Sequence, residues 1–155
     1  MFKKFLMLIV AVIFCSFTYN TEAIVVDKRP ITVGVSYLQD NEITKAMLNG
    51  AKKAAKKLNA QLFVRNGRGE TDVQMAQIHD LIAQQTNCLV VIIEDPKANS
   101  RLAENGEQSN IPIVLVESKI TDKQAAFNAA YNAVEEAWNK AKYNKKVQPA
   151  FYSGY

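Results

Sequence analysis

Cysteine, histidine and tryptophan are close to absent from this chain: its 155 residues include two cysteines, one histidine and one tryptophan. So few soft ligands exclude a cysteine–histidine metal cluster and a disulfide-stapled scaffold. The single histidine, His79, stands beside Asp80 in a helical stretch away from the strand ends. No Ser-His-Asp, Cys-His or paired-acid arrangement falls in a cleft-forming position, so no catalytic chemistry is indicated and no cofactor or metal is expected. Gly67-Arg68-Gly69 makes a tight loop, but its spacing is not that of a phosphate-binding motif. A large excess of one charge is lacking too. The 19 basic and 15 acidic residues leave +4, too mild a field to argue for nucleic acid. The longest apolar run, Phe5 to Phe17, is shorter than the roughly 20 residues of a membrane-spanning helix. There is no internal repeat and no low-complexity linker.

What the chain does have begins with an export signal. Lys3 and Lys4 precede the apolar run, polar Thr18 to Glu22 follow it, and Thr21 and Ala23 suit the cleavage positions, so residues 1–23 read as a cleaved signal peptide and the destination as periplasmic or secreted. The alternatives are an uncleaved anchor and lipid attachment at Cys15. Against the latter, bulky Phe14 stands where lipid-attachment sites favour a small residue. Residues 24–155 make one domain of ordinary size. Without Lys3, Lys4 and Glu22 they hold 17 basic and 14 acidic residues, a formal charge of +3. Cys88 is then the one remaining thiol, which rules out an internal disulfide. It opens the apolar run Cys88 to Ile93 and reads as an inert buried group.

Apolar runs of strand length alternate with segments of helical period, the signature of an α/β domain with a mainly parallel sheet. The strands are expected at Ile31 to Ser36, Gln61 to Arg65, Cys88 to Ile93 and Ile113 to Val116. A first helix, capped by Asp40 or Asn41, buries Ile43, Met47, Gly50 or Ala51, Ala54 and Leu58. A second starts near Thr71 and turns Ile78, Leu81 and Ile82 inward. A third, shorter one follows Pro96 and carries Ala98, Leu102 and Ala103. Thr121 to Lys142 is a long amphipathic helix with Phe127, Ala130, Tyr131, Val134, Ala137, Trp138 and Ala141 on one stripe, so Phe127 and Trp138 are expected to be buried. Lys52, Lys53, Lys56 and Lys57 lie opposite the apolar stripe of the first helix, as a solvated face or a contact for an acidic partner or anionic lipid.

The order of these pieces carries a resemblance. The Asn41 helix with Gly50-Ala51-Lys52-Lys53-Ala54-Ala55-Lys56-Lys57-Leu58, the helix Gln74 to Gln84, Asp95-Pro96 and Ile111-Pro112-Ile113-Val114 together resemble the first lobe of the ribose- and galactose-type periplasmic sugar-binding proteins. Thr121 to Tyr155 is similar to the closing helix and short extended segment that pack back on that lobe in the family. The resemblance implies a three-layer α/β/α domain with strand order 2-1-3-4 and right-handed crossovers. It also implies a single lobe of the periplasmic-binding-protein fold, with residues 121–155 as closing helix and tail.

In such a sheet ligands approach the carboxyl ends of the strands where the strand order reverses. That brings together the loops Ser36 to Asn41, Glu94 to Asp95 and Glu117 to Lys119. Asn41 matches the family's asparagine that hydrogen-bonds a sugar hydroxyl, and it is equally a helix cap. Where the family has Pro-Phe-Phe after that asparagine this chain has Glu42-Ile43-Thr44, which leaves Tyr37 as the candidate stacking ring. Where the family shows Asp-Arg this chain has Glu117-Ser118, keeping an acidic acceptor and losing a cation. The expected ligand-binding residues are therefore Asn41, Tyr37, Glu117 and Asp95. Asp40, Glu94 and Asp95 read as solvated strand-end acids, with a divalent-cation site as the sharper alternative. The implied partners are a small polar ligand, a carbohydrate, and a membrane transporter or sensor of the ABC uptake type. A homodimer or second-lobe partner would complete the site. The other reading is a non-enzymatic envelope interaction protein derived from such a lobe.

Overall fold

The structure, a computed structural model, describes residues 29–94 and 108–147, with side chains through residue 144. The expected signal segment, Cys15, Asp95, the helix after Pro96 and the tail beyond Val147 lie outside the described residues. Among the described residues seven elements follow one another: β1 (Thr32–Tyr37), α1 (Glu42–Lys57), β2 (Gln61–Asn66), α2 (Thr71–Ala83), β3 (Cys88–Ile93), β4 (Ile113–Glu117) and α3 (Lys123–Val147). The strands form one parallel sheet in the order β2-β1-β3-β4, as expected. At its amino edge Asn87 ties β3 to β1. Its Oδ1 accepts from the Thr32 amide at 2.8 Å, and its own amide donates to the Thr32 hydroxyl at 3.0 Å.

Alternate residues of the strands feed two cores, because successive side chains point to opposite faces. Val33, Val35, Tyr37, Cys88, Val90, Ile92, Val114 and Val116 meet α1 and α3 on one face. Leu89, Val91 and Ile93 meet Ile78 and Leu81 of α2 on the other. Both sides of β3 are therefore covered, which is why it reads as an unbroken apolar run and not an alternating one. Burial pushes the Cys88 thiol up to about 12, so at neutral pH it is protonated and unreactive. One polar residue belongs to the α2 face. Gln74, 6% exposed, donates to the Ile92 carbonyl at 3.1 Å and pins α2 to β3.

The long helix α3 starts two residues later than the stripe suggested, because Asp122 caps it by accepting from the Ala125 amide at 2.7 Å. It lies along α1, and the contact is unusually close. A Cβ on Gly50 would collide with the Phe127 backbone carbonyl. Small residues make this approach possible: Ala126, Ala130, Ala133, Val134, Ala137 and Ala141 are the buried ones. The expectation that Phe127 and Trp138 are buried is corrected here, since both are half-buried. With the two backbones so near, the interface has no room for rings, which move to its flanks. There the Lys53, Lys57 and Lys142 ammonium groups lie over Phe127, Tyr131 and Trp138 at 5.6, 5.5 and 4.6 Å from the ring centres. Lys57 also pairs with Glu135 at 2.7 Å.

Candidate functional site

The sheet reverses its order between β1 and β3, and the crevice above their carboxyl ends is where a parallel sheet offers a ligand its loops. Register aligns the four ends: Tyr37 is opposite Asn66 on β2, Ile92 follows Tyr37 on β3, and Ile93 is opposite Glu117 on β4. The loop after β1 is fastened at several points. Asp40 accepts from the Tyr37 hydroxyl at 3.0 Å and from the Asn66 side-chain amide at 2.9 Å. The Gly67 and Gly69 amides donate to the Tyr37 and Leu38 carbonyls, both at 2.8 Å. The second of these needs the chain to turn through two left-handed residues, Arg68 (φ 57°) and Gly69 (φ 82°), a conformation that glycine adopts without a Cβ clash. Thr44, 1% exposed, completes the fastening. Its hydroxyl accepts from the Asn41 amide at 2.8 Å and donates to the Gln39 carbonyl at 2.9 Å.

Asn41 is the N-cap of α1. Its Oδ1 accepts from the Ile43 amide at 2.9 Å and the Thr44 amide at 2.8 Å, and the reciprocal Thr44 bond closes a capping box,. The cap thus engages the oxygen of an exposed side chain, whose Nδ2 is by its chemistry a donor. Tyr37 is only 7% exposed and its ring belongs to the core under α1 and α3. At the edge it offers its hydroxyl, not a ring face. Burial first, then the hydrogen bond and charge of Asp40, hold that phenol above its ordinary value of 10.0, so it stays a donor.

Glu117 is exposed at the end of β4. It lines a shallow notch with Ile93, Glu94 and Lys119. From across the crevice the Gln39 amide reaches the Glu94 carboxylate, 3.3 Å from each oxygen. This bridge joins the β1 loop to the β3 end over the switch point, and no residue pattern signals it, because its partners are 55 positions apart. Asp40 and Glu94 each accept from neutral donors and are not gathered on a common point; among the described residues no group of three or more metal-type ligands converges. Asn41 and Glu117 thus stand at the same carboxyl edge but on loops that the end of β3 separates, Tyr37 lies beneath it, and Asp95 lies outside the described residues. Thr44, Asn66 and Gln39 were missed. Of these, Thr44 had a signal, its third-residue spacing from an N-cap.

Comparison with known proteins agrees with this geometry. A family model described as a periplasmic binding protein domain matches residues 33–149. The chain is 26% identical over 107 residues to the ribose import binding protein of Escherichia coli (strain K12), covering 69% of this chain and 36% of that protein. It is 26% identical over 80 residues to the D-xylose-binding periplasmic protein of the same organism, covering 52% of this chain and 24% of that protein. The chain therefore spans about a quarter to a third of these relatives' length. Among solved structures, a sugar ABC transporter from Yersinia enterocolitica subsp. enterocolitica 8081 superposes with a TM-score of 0.53 at 17% identity, over 57% of this chain and 27% of that one. The 5-methylthioribose transporter solute binding protein from Thermotoga lettingae TMO gives 0.50 at 14% identity, over 78% of this chain and 49% of that one. At such identities the structural likeness is one of fold.

Proposed function

The chain belongs to the periplasmic binding protein domain family, and from that premise we propose that it is an exported, non-enzymatic binding protein for a small polar ligand, a carbohydrate, serving an ABC-type uptake system or a sensor. The observation that carries the proposal is the fastened loop at the switch point. It carries Asn41 at the start of α1, and its Gln39 bridges to Glu94, which lines a notch with Glu117 and Lys119. Neutral amides beside carboxylates match the donor and acceptor needs of a hydroxyl. In this reading Asn41 and Glu117 contact the ligand, Asp95 is a further candidate acceptor, and Tyr37 contributes its hydroxyl through Asp40.

The described unit is read as one lobe, a single wall of a site. If half of a micromolar binding energy resided here, about −8 kcal/mol would become about −4, a millimolar site. Useful affinity then requires a second wall, from a second lobe, another copy or a partner. Calorimetric titration of the purified protein against a monosaccharide panel tests this. Saturable binding in the millimolar range, or tighter with the second wall supplied, is expected. An absence of heat with every sugar at tens of millimolar overturns it. One observation favours the other reading, an envelope interaction protein: the Asn41 oxygen, the Tyr37 hydroxyl and the Glu94 carboxylate already bond within the protein. Silent titrations together with capture of an envelope protein would select it.

A further inference from the structure

The two edge strands of the sheet are finished differently. On β2 the Gln61 amide donates to the Ile31 carbonyl and the Gly67 amide to the Tyr37 carbonyl. Odd-numbered residues therefore face β1, and the backbone groups of Leu62, Val64 and Asn66 turn outward. Side chains of the chain itself blunt that edge. The Arg65 Nη1 donates to the Val64 carbonyl at 3.2 Å, and the Gln77 Nε2 donates to the Asn66 carbonyl at 3.0 Å. On β4 the Leu89 amide donates to the Pro112 carbonyl and the Ser118 amide to the Ile93 carbonyl. Even-numbered residues face β3 here, so Ile113, Leu115 and Glu117 turn their amides and carbonyls outward. Among the described residues these outward groups have no partner. The strand reads Ile-Val-Leu-Val-Glu in unbroken register, with no lysine, proline or bulge to deter a further strand.

Handedness says what does not cover this edge. The helix α3 lies on the same face as α1, and the crossover through α1 leads from β1 to β2. A right-handed crossover through α3 leads the same way, from β4 back toward β3. Chain following Val147 would reach the outer side of β4 in parallel only by a left-handed crossover, which such sheets avoid. The flank of α3 beside this edge is shaped for a copy of itself. Phe127 and Tyr131 lie under the α1 lysines, so Ala129 and Ala133, two positions on from each, lie on the flank turned away from α1. We propose that β4 pairs antiparallel with β4 of a second copy about a two-fold axis at Leu115, joining two four-stranded sheets into one. Leu115 then faces Leu115, Ile113 faces Glu117, and each outward amide meets an outward carbonyl. Strands lie about 4.8 Å apart, and α3 packs on both β3 and β4. The two α3 helices are thereby brought about 10 Å apart, a normal packing distance that small alanine flanks permit. An extended foreign peptide would pair with the strand but leave those flanks bare, which is why a second copy is favoured. The outer edges of the joined sheet are both β2, already blunted, so association closes at the dimer. The crevice between β1 and β3 stays open in each copy, at opposite ends of the joined sheet, so the pairing is independent of the ligand and does not supply the second wall.

The test is amide hydrogen exchange of the purified protein, read residue by residue by NMR from micromolar to near-millimolar concentration, with sedimentation giving the mass at each. Outward amides that pair only in the dimer gain protection with concentration, about tenfold at ten times the dissociation constant. The expected result is a dimer whose Ile113, Leu115 and Glu117 amides slow in step with its population, while those of Val114 and Val116, bonded to β3, are slow throughout. Leu115→Pro deletes one outward donor and no bond to β3. It should leave a monomer in which Val114 and Val116 remain protected. If that variant does not fold, the concentration dependence of the parent decides alone. A monomer with fast outward amides at every concentration overturns the proposal and leaves the edge for a foreign strand. Protection that does not change with concentration in a monomer also overturns it, because the chain's own residues then cover the edge. A dimer whose outward amides stay fast overturns it as well, placing the association elsewhere.

Discussion

The seam between α1 and α3 and the loops at the crevice are built by opposite means. The seam is apolar, closed and made of the smallest side chains, with Gly50 against the Phe127 backbone and alanines along α3. The crevice is polar and open, and it is held by single hydrogen bonds among Tyr37, Asp40, Asn41, Thr44 and Asn66. The lesson is a division of labour. Changes at the seam should cost the fold, whereas changes at the crevice should cost ligand and leave most of the fold in place.

Gly50→Leu is the largest break available. A side chain there meets backbone that has no way to yield, so the variant is expected not to fold cooperatively, with α3 undocked and lost circular dichroism as the readout. Overpacking that the helices could absorb would cost only about 1–3 kcal/mol, and a variant that loses no more than that would show the seam to be looser than described. Trp138→Ala comes next. A fully buried tryptophan would cost about 3–5 kcal/mol; half-buried and capped by Lys142, it should cost about 2 kcal/mol in urea unfolding. A change indistinguishable from zero would mean that α3 is not docked at its far end.

The contrast explains what was legible in the sequence. Strand positions, the start of α2 and the cap of α1 were readable because they rest on local spacing, and the strand order followed from the family resemblance. The fate of Phe127, Tyr131 and Trp138 was not, because it depends on how near a second helix comes. Tyr37 misled for a similar reason: a ring at the end of a central strand with both faces covered is core, whatever loop follows it. Gln74 and the Gln39–Glu94 bridge join residues 18 and 55 positions apart, and no periodicity reports on such pairs.

At the crevice the effects should be smaller on stability. Thr44→Val keeps shape and deletes a buried hydroxyl with partners on both sides, so about 1–3 kcal/mol is expected, together with a loosened loop in hydrogen exchange. Asn41→Ala removes the cap for about 1 kcal/mol but should abolish measurable ligand binding. The pair sharpens the comparison if Asn41→Ala hurts binding far more than its cost in stability suggests. The smallest effect belongs to pH. The Lys57 hydrogen bond holds the Glu135 carboxyl below its ordinary value of 4.5, and Lys123, then Lys45, do the same for Glu42. A depressed carboxyl stabilises the fold above its unfolded value and loses that contribution as pH falls through the folded one. Unfolding midpoints should be level from pH 7 to 5, then decline slightly below 4.5, and Glu135→Gln should flatten that decline.

The central claim is that a hydroxyl-rich ligand meets the carboxyl edge at the switch point. Amide NMR titration with the monosaccharide panel addresses it residue by residue. The account predicts saturable shifts confined to residues 38–41, 94 and 117–119, absent in Asn41→Ala. Shifts centred on the α1–α3 seam, or none at tens of millimolar sugar, would contradict it.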